Sequence, residues 1–190
     1  MDFSFIDPRT VYLIGHLLGI AFGAGGAFVS DLLFLKAVRD NKITKTEMGF
    51  IEIGGYCVTI GLVVLVVSGA FLFSLDPEKY LASSKFLVKM TVVTILIANG
   101  FLLHAVHIPR MKKRLNESLT AHRSKFWKLA LIGAGVLSAV SWVSAIILGA
   151  FKSIPYEYEA ILAVYVGAVI VATAIAYVLR DVLVPHARKK

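Results

Sequence analysis

Residues 11–30 read VYLIGHLLGIAFGAGGAFVS. They carry no charge, no proline and a single histidine, His16. At 1.5 Å per residue a helix of that length reaches about 30 Å, the thickness of a bilayer's hydrocarbon core. This stretch decides the fold class, because the rest of the chain repeats its character. Of the 190 residues, 58% are hydrophobic, where soluble domains have about 45–50%. Charged residues are 17%, against about 25%. A disordered chain, a disulfide-stapled secreted domain and an ordinary soluble enzyme are all excluded. Cys57 is the only cysteine, so no disulfide forms within the chain, and it reads as filler in a helix interface.

Breakers and caps divide the chain into five spanning helices, at about 8–36, 45–74, 83–108, 124–151 and 156–184. Pro8 suits a first helical turn. Thr44-Lys45-Thr46-Glu47 has the form of a capping box. Asp76-Pro77 ends the second run, Pro109 the third, and Pro155 and Pro185 bracket the fifth. The reading is all-α, a single transmembrane domain with no room for a soluble catalytic one. The start, MDFSFIDPRT, holds Asp2, Asp7 and one basic residue, so it lacks the basic region of a secretory signal, and the first run is retained.

Charge sets the expected orientation. With five crossings, Lys36, Arg39, Lys42, Lys45, Arg110, Lys112, Lys113, Arg114, Arg123, Lys125, Lys128, Arg180, Arg188, Lys189 and Lys190 fall on one side, 15 of the 20 basic residues. Arg9, Lys79, Lys85 and Lys152 fall on the other, and Lys89 lies within the third run. The positive-inside rule then places the N-terminus outside and the C-terminus in the cytoplasm of a bacterial inner membrane. The surplus positive charge marks cytoplasmic loops rather than nucleic-acid binding. The basic 110–128 loop reads as a contact for anionic lipids. Two matching patterns, Gly69-Ala70-Phe71 and Gly149-Ala150-Phe151, each followed by Ser, Pro, Glu and Tyr, suggest that runs two–three and four–five are related hairpins.

Several residues stand out against this background. Gly15, Gly19, Gly23 and Ala27 form one stripe on the first helix. Such a stripe lets helices approach closely in lipid, or leaves room for a flat cofactor. His16 sits beside it, about 10 Å inside the outer boundary. Intramembrane ionisable groups are functional-site candidates. Lys89 falls at the same depth on the third helix and either snorkels or serves the same site. By 3.6-residue periodicity Lys89, Gly100, His104 and His107 share one face. His104 and His107, with Asp31 and Glu52, make a candidate proton or metal-cation site, set against ordinary salt bridges to Lys36 or Lys45. On the fourth helix Ala134, Ser138, Ser141, Ala145 and Gly149 form a packing seam, and Trp142 at mid-membrane is core filler or a pocket wall.

The first-helix His near its outer end, the Gly/Ala stripe and the Lys opening the third helix resemble the small bacterial membrane proteins that include the copper-resistance D family and the membrane-embedded protoporphyrinogen oxidases. Where those oxidases carry an aromatic and basic signature later in the first helix, this chain has Gly25-Gly26 and then Asp31. Ser68-Gly69 and Asn99-Gly100 look more like uncharacterised members of the broad group. The resemblance implies haem b at His16 and a functional role for Lys89. A bis-histidine haem needs imidazoles on two facing helices at one depth. His16 has no embedded counterpart there, so the second axial position falls to Met90, to another ligand or to none.

Three readings follow. The first is an intramembrane ligand site for haem or porphyrin, in electron transfer or a porphyrin-linked redox step, with His16, Lys89, Met90, Gly19 and Gly23 as its residues. The second is a small proton or cation transporter or channel subunit using Asp31, Glu52, His104 and His107. The third is a non-catalytic partner subunit, or a homo-oligomer, docking through its small-residue seams.

Overall fold

The structure, a computed structural model, describes residues 7–39, 43–113, 115–116 and 125–179, with only the backbone considered at 37–39 and 125–129. The elements are α1 (Pro8–Arg39), α2 (Lys45–Ser74), α3 (Pro77–Leu81), α4 (Ser84–Leu102), a π-helical turn (Leu103–His107), α5 (Ile108–Lys112), α6 (Lys125–Ala150) and α7 (Tyr158–Val178). Among the described residues there is no strand. Among the described residues five helices are long and apolar enough to cross a membrane: α1, α2, the continuous α4–π–α5 rod, α6 and α7. Their outward faces are apolar, as in Leu32 (66% exposed), Phe101 (71%) and Val164 (75%), which is the surface of a bundle solvated by lipid.

The helix ends form where local chemistry supplies partners for their orphan backbone groups. Thr44 Oγ1 accepts from the Glu47 amide at 3.2 Å and Glu47 Oε2 accepts from the Thr44 amide at 3.0 Å, completing the capping box. Asp76 and Ser83 cap α3 and α4 through the amides of Lys79 and Phe86. The third segment departs from expectation: Pro109 does not end it. The helix passes through Pro109 to Lys112 because the turn before it widens, the Ile108 amide bonding to the Leu103 carbonyl. That widening relieves the clash a proline makes with the carbonyl four residues earlier. The first segment runs three residues further than expected, to Arg39, and the fifth is helical from Tyr158 to Val178. Residues 124 and 180–184, assigned to helix from sequence, lie outside the described residues, as do 114 and 117–123 of the 110–128 loop.

Successive spanning helices alternate in direction, so His16 meets Ser68 and Lys89 at one end, and His104 meets Gly55 at the other. The first is called here the N-terminal end and the second the basic end. The closest pairing is α1 against α2, where a Cβ on Gly61 would strike the backbone of Gly23, and one on Gly26 would lie 2.8 Å from Cβ of Cys57. Helix α6 touches α1, α4 and α7 and joins the α1–α2 pair to the rest. The two proposed hairpins pack unalike: α6 and α7 lie against each other, whereas α2 packs on α1 and makes little contact with α4. The sequence likeness between them does not extend to their packing.

Three apolar clusters are stacked along the bundle. Val88, Val92, Leu148, Ile161 and Tyr165 form the one toward the N-terminal end. Ala24, Ala27, Leu65, Leu96 and Trp142 fill the middle. Ile43, Met48, Ile51, Met111 and Leu131 close the basic end. Between α6 and α7 the hydroxyl groups of Ser141 and Tyr165 pair at 2.8 Å, and between α4 and α7 Thr91 pairs with Tyr158 at 3.1 Å, so these hydroxyls have partners where lipid offers none.

Candidate functional site

Near the N-terminal end four helices bring polar groups to one place. His16 on α1 uses both ring nitrogens. Its Nδ1 lies 3.1 Å from Ser68 Oγ on α2, and its Nε2 lies 3.4 Å from Lys89 Nζ on α4. Ser68 Oγ in turn donates to the Val64 carbonyl at 2.6 Å. One arrangement of protons satisfies the whole chain: the Lys89 amine donates to Nε2, Nδ1–H donates to Ser68, and the serine hydroxyl donates to the backbone. Gly69 makes room for the ring, since an added Cβ would lie 3.5 Å from His16 Cε1. Gly149 of α6 does the same for Lys89, at 3.7 Å from Nζ. One turn nearer the end, Lys85 Nζ donates to the carbonyls of Phe151 (2.6 Å) and Lys152 (3.3 Å), just past the last residue of α6.

The electrostatics of this place are one-sided. Lys85 and Lys89 stand one helical turn apart on α4, and Lys89 Nζ faces His16 Nε2. Among the described residues no carboxylate lies within ion-pair distance of Lys89 or Lys85. Removing a cation from water without a counter-charge is costly, so a buried amine either meets an anion or gives up its proton.

Sequence reasoning brought His16 and Lys89 together correctly by depth. It did not find Ser68 as the partner of His16. A depth count would have found it, since Ser68 stands six residues before the end of α2 as His16 stands eight after the start of α1. Met90 is 39% exposed on the surface of α4. The glycines serve packing: a Cβ on Gly19 would lie 2.9 Å from Leu65, and one on Gly23 would strike the indole of Trp142. Trp142 is 1% exposed and is therefore core filler that occupies the space the stripe leaves. A flat macrocycle does not fit alongside Gly19 and Gly23.

Toward the basic end the second candidate set is dispersed. Glu52 is paired with Lys112 at 3.0 Å, rather than with Lys36 or Lys45. His104 bonds through Nδ1 to the Gly100 carbonyl at 3.1 Å, and its Nε2 packs on Gly55. Asp31 Oδ1 faces Gly135 of α6, while Oδ2 is buried with no hydrogen-bond partner among the described residues. Among the described residues no three of His, Cys, Asp or Glu are grouped to hold a metal ion. The expected common face of Lys89, Gly100, His104 and His107 is not kept either. A Cβ at Gly100 would meet open space, and the π turn shifts the helical phase beyond it.

Comparison with family models, with curated proteins and with solved structures finds no match to this chain.

Proposed function

We propose that this chain is a multi-pass membrane protein that binds an amphipathic ligand through an acidic group, which Lys89 receives inside the bundle with His16 beside it. The observation that carries the reading is the place of the Lys89 amine. It is held 3.4 Å from His16 Nε2, with no carboxylate in ion-pair range among the described residues. An acidic ligand group supplies the missing charge and draws on the two N–H donors that Lys89 does not spend on His16. The positive-inside pattern puts this site in the outer half of a bacterial inner membrane.

Haem b is the ligand that the family resemblance adds. The donor set matches it chemically: an imidazole whose Nδ1 is oriented by a hydroxyl, and an amine able to pair with a carboxylate. The space along the glycine stripe does not match it, because Leu65 and Trp142 fill it. The acidic-amphiphile reading therefore stands on its own and does not depend on haem.

Binding to the purified full chain tests the reading. Dodecanoate is expected to bind the wild type and to lose most of its affinity in Lys89→Met; equal binding by both overturns it. An absorption spectrum taken after haem is supplied during expression tests the haem alternative. A stoichiometric Soret band that vanishes in His16→Ala supports haem, and a colourless protein excludes it.

Transport of a proton or cation is a second reading, favoured by the orphaned Asp31 Oδ2 and by the similarly buried Ser30 Oγ. The Ala24, Ala27, Leu65, Leu96 and Trp142 layer lies between these groups and His16, so each polar group would have to act from its own side. Flux lost in Asp31→Asn and kept in His16→Ala would favour this reading.

A further inference from the structure

Lys85 and Lys89 stand one turn apart on the same face of α4, and both reach the C-terminal end of α6. A helix C-terminus carries partial negative charge, which offsets two ammonium groups only in part. Counting donors gives the rest. Lys85 spends two of its three N–H groups on the Phe151 and Lys152 carbonyls. Lys89 spends one on His16 Nε2. Three donors are left over on two neighbouring basic side chains, two on Lys89 and one on Lys85 at the exposed end of the site. A single carboxylate at Lys89 would meet two of them and leave the Lys85 donor unmet.

We infer that the site takes a compact dianionic headgroup, a phosphate monoester on an amphiphile, bridging Lys89 and Lys85. The inference rests on the acidic-amphiphile reading above and names the class of its ligand. The phosphate has enough oxygens to accept all three remaining N–H donors, and its second charge meets Lys85 without removing Lys85 from α6. Lys85 is the specificity-determining residue, choosing dianion over monoanion, while Lys89 is needed for either. The chain that carries the phosphate lies along the apolar outside of the bundle, so the source is a lipid; inorganic phosphate offers the same headgroup chemistry without it.

The experiment is native mass spectrometry of the full chain in a non-ionic detergent at pH 8, above the second phosphate pKa of about 6. Dodecyl phosphate and dodecanoate are titrated separately, and inorganic phosphate is added in competition with each. The wild type is expected to prefer dodecyl phosphate to dodecanoate by about tenfold, the scale of one added charge-assisted bond. Lys85→Gln removes the charge and keeps a polar side chain near the end of α6. It should abolish the preference by bringing dodecyl phosphate down to the affinity of dodecanoate, and Lys85→Arg should retain the preference. Inorganic phosphate competing as well as dodecyl phosphate supports the dianion and assigns a soluble source; its failure to compete supports the dianion and assigns a lipid. Equal affinity for the two amphiphiles, or a preference that survives Lys85→Gln, overturns the inference. Dodecanoate binding that depends on Lys89 would then leave the broader reading intact. If neither amphiphile binds, both fail.

Discussion

The indole of Trp142 on α6 occupies the space that a side chain at Gly23 of α1 would need, and Gly61 of α2 abuts the backbone of the same glycine. Three helices therefore meet at one residue without a side chain. The small-residue stripe of α1 is thereby a packing device, which closes the middle of the bundle between its two polar ends.

Gly23→Ala and Gly61→Ala should each lower stability by about 1–3 kcal/mol through overpacking. Gly49→Ala, where a Cβ meets nothing within 4 Å, is the control and should be neutral or slightly stabilising. Trp142→Leu should rescue Gly23→Ala in part and Gly61→Ala not at all, because the second clash is with backbone. Thermal unfolding in detergent measures all four; an equal loss at Gly49 would sink the argument.

Lys89→Met should stabilise the ligand-free protein or leave it unchanged, while removing acidic-ligand binding. A buried cation without a counter-ion is a cost of the site, and an apolar chain of similar length removes that cost. A melting temperature lowered as much as by Ser68→Ala would show that Lys89 is structural. Ser68→Ala itself strips the acceptor from His16 Nδ1–H and should cost about 1–3 kcal/mol.

Pro109→Ala should let the π turn close into regular α-helix, because the clash that widens it is gone. The change of phase would lift His104 off Gly55. Modification of His104 by diethylpyrocarbonate, read by peptide mass spectrometry, should rise. Gly55→Ala should have the same effect directly, since its Cβ would lie 2.8 Å from His104 Nε2. Unchanged labelling in both variants would disprove the link between the proline and the histidine's position.

The Glu52–Lys112 pair is half open to its surroundings, with side chains 25% and 51% exposed. Glu52→Gln should therefore change stability by less than about 1 kcal/mol. It should also leave any divalent-cation affinity unchanged, as Glu52 is committed to Lys112. A large drop in cation binding, measured by calorimetry, would restore Glu52 to a metal site.

Orientation is open to a labelling test in a Cys57→Ser background. Lys79→Cys, in α3, should react with an impermeant maleimide on intact cells. Lys113→Cys, at the basic end, should react only after permeabilisation. The reverse pattern would invert the positive-inside assignment.

Length, hydropathy and capping chemistry determined five apolar helices and most of their ends, because these depend on residues within a few positions of one another. Depth along each helix was also legible, so His16 and Lys89 could be matched across 73 residues. Which way each face turns was not. Whether the glycine stripe is filled or open depends on a tryptophan more than a hundred residues away. The phase of His104 depends on a π turn that 3.6-residue counting cannot anticipate. The partner of Glu52 proved to be Lys112 rather than a lysine near it in sequence. Rotation about a helix axis costs a spanning segment little in lipid, so it is set by the neighbouring helices, and only the tertiary structure fixes it.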